Sequence, residues 1–220
     1  IFGNDAVFVN PNITNPPVAF FFGTPFMGLI AAGLAIVIIR AWLYAPEIGS
    51  RFADKIHIPH WMLPPIAGLV LGLFALAFPQ ILGVGYEATA TAIVGGYSAA
   101  FMLVLAIAKI MATALCIGAR FGGGVFSSSI FVGAMIGGTF GAIMGLLTGD
   151  GETAKIFFTV VGMGAISGAV LGAPISTTLI VFELTRSYES AAAVLISVSL
   201  ATVIVQAIQG GNIFQKQLGT

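Results

Sequence analysis

Long uncharged apolar stretches alternate along this chain with short polar or glycine-rich breaks, and that alternation predicts its elements. Val18 to Ile39 is apolar throughout and long enough to cross a bilayer as a helix, which takes about 20 residues. Arg40 to His60 follows as a charged, proline-containing connection with Arg51, Lys55, His57 and His60. Its excess of Lys and Arg over the leading segment assigns it to the cytoplasmic side. Trp61 to Phe78 is the second span, with Trp61 at an interface position and Pro79 as its stop, and Gly83-Val-Gly85 makes a turn. Glu87 to Gly95 is too short to cross and reads as a short helix buried among others. Ala99 to Ile117 is a near-full span interrupted by Lys109, Val125 to Leu147 is a further helix, and Thr148 to Lys155 is a polar loop. Ile156 to Gly172 and Pro174 to Leu184 are two short apolar segments parted by Gly172-Ala-Pro174. Ala191 to Ile208 is the last long run, and Gly210-Gly211 breaks it before a short Ile213 to Leu218 piece.

Composition fixes the class. Hydrophobic residues make up 58% of the chain and charged residues 7%, with a mean hydropathy of +1.07, whereas soluble domains carry about 25% charge. The chain therefore reads as an all-α, multi-pass integral membrane protein whose first partner is the lipid bilayer. A net charge of zero without basic clusters gives no reason to expect a nucleic-acid partner. The single Cys116 lies in an apolar run, which favours packing over reactivity. Ile1 to Pro17 lacks the basic start and cleavage pattern of a signal peptide, and with no initial Met the sequence reads as a piece of something longer. Asn12-Ile13-Thr14 matches a glycosylation triplet that is common by chance.

The run Arg120-Phe-Gly-Gly-Gly-Val-Phe-Ser-Ser-Ser129 carries the chemistry. A helix starting after it leaves its first amide N–H groups without intrahelical partners, and hydrocarbon offers them no water. An anion satisfies such donors and the positive end of the helix dipole, and transporters place substrates at broken helices of this kind. A tight turn between two packed helices is the competing reading. Gly133, Gly137, Gly141 and Gly145, each four residues apart, share one face on which a neighbouring helix can approach closely; Ser167, Gly168, Gly172 and Ala173 offer a second such surface. Lys109 needs a partner such as an ion pair, a wet cavity, or a route to the interface. Glu183, beside Arg186, reads as a structural charge. No enzyme constellation emerges: Ser127 to Ser129 have no evident base, and His57 and His60 read as a solvated pair rather than metal ligands.

Gly122-Gly-Gly-Val-Phe-Ser128, Gly162-Met-Gly-Ala-Ile-Ser-Gly168, Ala173-Pro-Ile-Ser-Thr-Thr-Leu-Ile-Val-Phe-Glu-Leu-Thr185 and Gly211-Asn-Ile-Phe214 fall in an order and spacing that resemble the CLC family of chloride channels and proton-coupled chloride antiporters. Leu63-Pro-Pro-Ile-Ala-Gly-Leu-Val-Leu-Gly72 and Pro79-Gln-Ile-Leu-Gly-Val-Gly-Tyr86 extend the resemblance over essentially all of residues 1–220. It implies the second inverted-topology half of the family fold, with broken and tilted helices. The N-terminal half of the same polypeptide is then an obligate partner, the assembly is a homodimer, and the location is the cell (inner) membrane. By the family's motif, chloride is the bound substrate, no cofactor is required, and the backbone amides of Val125 and Phe126 hold the ion, with Gly122, Gly123, Gly124, Ser127 and Ser128 shaping the site. The family's central tyrosine position falls on Phe214, and its serine and gating glutamate belong to the other half. Ser128 stands where the family usually has proline, which adds a hydroxyl and an amide N–H. Phe214 lacks the tyrosine hydroxyl, so it is either a packing residue only or a contact to an anion through its ring edge. Two alternatives remain at this stage, a secondary transporter of another anionic solute and a non-transporting helical membrane subunit.

Overall fold

The computed structural model describes residues 16–121, 124–210 and 213. Among these the chain forms eight α-helices and no strand: α1 (Val18–Lys55), α2 (Leu63–Ala77), α3 (Tyr86–Ile93), α4 (Ala99–Gly118), α5 (Val125–Thr148), α6 (Gly151–Leu171), α7 (Pro174–Thr185) and α8 (Tyr188–Gln209). α1, α4, α5, α6, α8 and the stretch His60–Ala77 that contains α2 are each long and apolar enough to cross a membrane. The all-α membrane architecture expected from the apolar pattern is the one observed.

Two boundaries differ from those expectations. The charged connection after Ile39 is helical, so α1 runs on to Lys55 with Pro25 and Pro46 inside it. Proline removes one backbone bond and crowds the preceding turn, but packing outweighs that cost here. Trp42 is buried and its indole N–H donates to the Ile110 carbonyl, while Gly49 lies so close to Gly118 that a Cβ on Gly49 would strike the Gly118 carbonyl. The expected polar loop from Thr148 to Lys155 also shrinks. Gly149 ends α5 with a left-handed φ of 80°, and Asp150 accepts from the Thr153 amide to start α6. The acidic Glu152 sits in that first turn, where the helix dipole favours it. The apolar segment from Ile156 is thereby one part of a full-length helix.

α6 is the centre of the fold, with 83% of its most apolar window buried against 17% for the stretch containing α2. It contacts α1, α5, α7 and α8. The four-residue glycine stripe of α5 is what lets α6 lie so close. A Cβ on Gly141 would stand 2.5 Å from the Ala154 carbonyl oxygen, one on Gly133 2.9 Å from the Met163 Cα, and one on Gly137 would collide with the Phe158 carbonyl. Small residues do the same on the other side of α6, where a Cβ on Gly168 would stand 2.5 Å from Thr177 Oγ1 of α7. In lipid no hydrophobic force drives helices together, so this backbone-to-backbone contact carries the packing. Gly137→Ala is expected to destabilise the folded protein by about 1–3 kcal/mol through overpacking, read as a lowered unfolding midpoint in detergent, whereas Gly33→Ala, in open space within α1, leaves the midpoint unlowered or slightly raises it.

Candidate anion site

The site begins where α4 stops. Ala119 caps α4, Arg120 takes a left-handed φ of 61°, the Arg120 amide donates to the Ile117 carbonyl and the Phe121 amide to the Cys116 carbonyl. This is the Schellman pattern, closed by an arginine where glycine is usual. The Arg120 guanidinium in turn donates to Ser50 Oγ of α1 at 3.2 Å. Gly122 and Gly123, two of the expected shaping residues, lie outside the described residues, as does Phe214. Gly124 is extended, with φ −84° and ψ 133°, and α5 starts directly after it without any side-chain cap. Val125, Phe126 and Ser127 thus occupy the first turn, whose amides point out of the helix end. The side chains of Val125 and Phe126 are half-buried against the apolar core, which fixes the direction of that end.

A cavity of about 270 Å³ opens against this turn, lined among others by Lys109 and Thr113 of α4 and by Gly124, Val125, Ser127 and Ser128. No Asp or Glu is among its described lining residues. Lys109 is 4% exposed. It lines the cavity, one of the outcomes weighed from sequence, and among the described residues it pairs with no carboxylate: its ammonium donates to the carbonyls of Ile81 at 2.7 Å and Gly83 at 2.8 Å, and stands 5.2 Å from the centre of the Phe131 ring. Backbone dipoles and a ring face take the place of a counter-ion. Lys155 of α6 works alike on the far side of α3, donating to the carbonyls of Gly95, at 2.9 Å, and Tyr97. The three serines after Phe126 differ. Ser129 turns its hydroxyl back onto the Val125 and Phe126 carbonyls, whereas Ser128 pairs with Thr113 across the helices at 3.0 Å. Glu183 is exposed, and among the described residues Arg51 pairs with Glu47 and the His60 imidazole contacts Asp54, whereas Glu183 and Arg186 do not form an ion pair.

Thr113 was not singled out by the sequence reading. Its signal is spacing: Lys109, Thr113 and Cys116 recur at i, i+4 and i+7 of an otherwise apolar helix, which puts all three on the face that lines the cavity.

The geometry defines a multi-pass membrane protein built on a broken helix whose open start faces a cavity. The family model of the voltage gated chloride channel matches residues 1–206, and the chain belongs to that family. It is 27% identical over 98% of its length to the H(+)/Cl(-) exchange transporter ClcA of Vibrio parahaemolyticus, of which it covers 46%, and 30% identical over 74% of its length to the chloride channel protein CLC-f of Arabidopsis thaliana, of which it covers 22%. The chain thus spans about half, or less, of the length of the curated relatives it matches. Its fold is that of a slow cyanobacterial Cl-/H+ antiporter (TM-score 0.86, 18% identity, 99% of this chain and 50% of that one) and, less closely, of a CLC-type fluoride/proton antiporter (TM-score 0.66, 18% identity, 91% and 47%).

Replacing Lys109 by Met is expected to release the Ile81 and Gly83 carbonyls and to destabilise the protein by about 1.5–3 kcal/mol, the range for a hydrogen bond to a charged group. Hydrogen exchange checks it: the amides from Leu82 to Gly85 exchange faster in Lys109→Met, while those of α6 keep their protection.

Proposed function

We propose that this chain forms one half of a transmembrane chloride pathway and that the amides of Val125 and Phe126 hold the ion at the start of α5. The observation that carries the reading is the lining of the cavity against that turn, which among the described residues has one buried ammonium and no carboxylate. A positive helix end, a fixed cation and no negative charge select for an anion. The relatives are named as exchangers of protons for chloride or as a chloride channel, and anion transport is common to both. The remaining half of the same polypeptide completes the site, as the fraction of each relative covered suggests. A second copy is the proposed partner of the outer face of α7 and α8, where Ile175, Leu179 and Ile196 are exposed. Chloride is substrate, and the reading calls for no cofactor and no enzymatic step. The cell (inner) membrane is the proposed location.

The test removes one donor without disturbing the helix. Proline is favoured at the first helical position and requires an extended residue before it, and Gly124 already has that conformation. Val125→Pro, in the complete polypeptide reconstituted in liposomes, is expected to fold normally and to bind chloride about ten- to hundred-fold more weakly, since an amide bond to an ion contributes about 1.5–3 kcal/mol. Radiolabelled chloride uptake, with and without a proton gradient, reads the loss. Unchanged chloride binding and uptake would overturn the reading.

A further inference from the structure

The Thr113–Ser128 contact holds a proton that no described residue accepts. Each hydroxyl has one proton and two lone pairs, and their shared bond of 3.0 Å uses one of the two protons. Whichever side donates, the other proton is left over. Ser129, one residue on, shows what a serine in this helix does with a spare proton: it returns it to the carbonyls of the preceding turn. Neither Thr113 nor Ser128 does so among the described residues. Ser128 is 7% exposed, Thr113 is half-buried, and both residues line the cavity that faces the first turn of α5, so the leftover O–H lies at the edge of that cavity, buried if it belongs to Ser128. An unpaired buried hydroxyl is costly, and the cost vanishes if an anion in the cavity accepts from it.

We propose that the Thr113–Ser128 pair donates its free O–H to the bound anion and sets the site's preference for a small monatomic halide of chloride size over larger, softer anions such as iodide. The inference rests on the anion reading of this cavity given above. Backbone amides at a helix start are common to any anion that reaches them, whereas a donor fixed between two helices rewards the ion of higher charge density that fits beside it. In this chain the hydroxyl of Ser128 occupies the position that the family resemblance assigns to proline. The pair has a built-in redundancy: Thr113→Val leaves Ser128 with its proton, and Ser128→Ala leaves Thr113 with its own, so only the double variant removes both hydroxyls of the pair, with the Ser127 hydroxyl retained in the cavity lining.

The experiment measures chloride and iodide binding by calorimetry on the complete purified polypeptide, for the natural protein, both single variants and Thr113→Val/Ser128→Ala. The single variants are expected to weaken chloride binding about two- to three-fold and the double variant about ten-fold or more, with iodide little changed, so that the preference for chloride collapses and the effects are non-additive. Crystals of the natural protein soaked in bromide supply a reading that needs no variant to fold: an anomalous peak is expected within hydrogen-bond reach of Ser128 Oγ or Thr113 Oγ1. A double variant that ranks chloride and iodide like the natural protein, or a bromide peak at the Val125 amide beyond reach of both hydroxyls, would overturn this inference and leave the anion site standing. A natural protein that binds neither ion overturns the anion site, and this inference with it.

Discussion

Every backbone N–H and C=O of this chain has to find a partner inside the protein wherever lipid rather than water surrounds it. The breaks between helices are where that requirement is hardest to meet, and they are met one by one. α4 starts on Ser98, α6 on Asp150 and α8 on Ser187, each accepting from an amide of the first turn. α5, α6 and α8 end on left-handed glycines at Gly149, Gly172 and Gly210. The loops on either side of α3 give their carbonyls to two lysines, Lys109 and Lys155. α1, α2, α3 and α7 also start without a side-chain cap, as α5 does, and α3 likewise starts on a glycine, Gly85. The start of α5 differs from that of α3 in the cavity it faces, whose described lining holds a lysine and no carboxylate, whereas the cavity at the start of α3 includes Glu87.

Access is of use only if the helix end stays where it is, and the glycine stripe secures that. Side chains between α5 and α6 would allow the two helices to slide or re-pack by changing rotamers. With the Gly141 face against the Ala154 carbonyl and the Gly137 face against the Phe158 carbonyl, backbone meets backbone and no rotamer is available to change. α6 is in turn held by α1, α7 and α8, and its Phe158 ring meets Phe140 of α5 edge-on at 4.9 Å. The first turn of α5 is therefore positioned by the most buried element of the protein.

How far the sequence alone reached follows the same physics. α3, α4, α5, α7 and α8 were legible to within a few residues, because apolar runs bounded by glycine, proline or capping residues leave few choices. α1 beyond Ile39 was not, since Pro46 and a charged stretch read locally as a break, and the packing of Trp42 and Gly49 that overrides them is distant in sequence. α6 was shortened for a related reason: Gly151 to Lys155 is polar, and nothing in its order reveals that Lys155 reaches across to the Gly95 carbonyl. The glycine break was legible as chemistry because its residue types have few other uses in an apolar chain. The partners of Lys109 were not, because a carbonyl has no residue signature; any loop can supply one.

That last point bears on the sign of the cavity's charge. A buried lysine paired with a carboxylate would be neutral as a unit and would contribute little field to the space beside it. Carbonyl oxygens and a ring face stabilise the ammonium as dipoles and a quadrupole, without cancelling its unit charge. With three donors and two carbonyls engaged, the ammonium is also anchored against moving to meet the ion. In the proposed reading the cavity is biased toward an anion by a cation that no described carboxylate neutralises, and the ion is left to the weaker and more readily released contacts of amides and hydroxyls. A direct ammonium contact would bind more tightly and release more slowly, and a pathway has to do both.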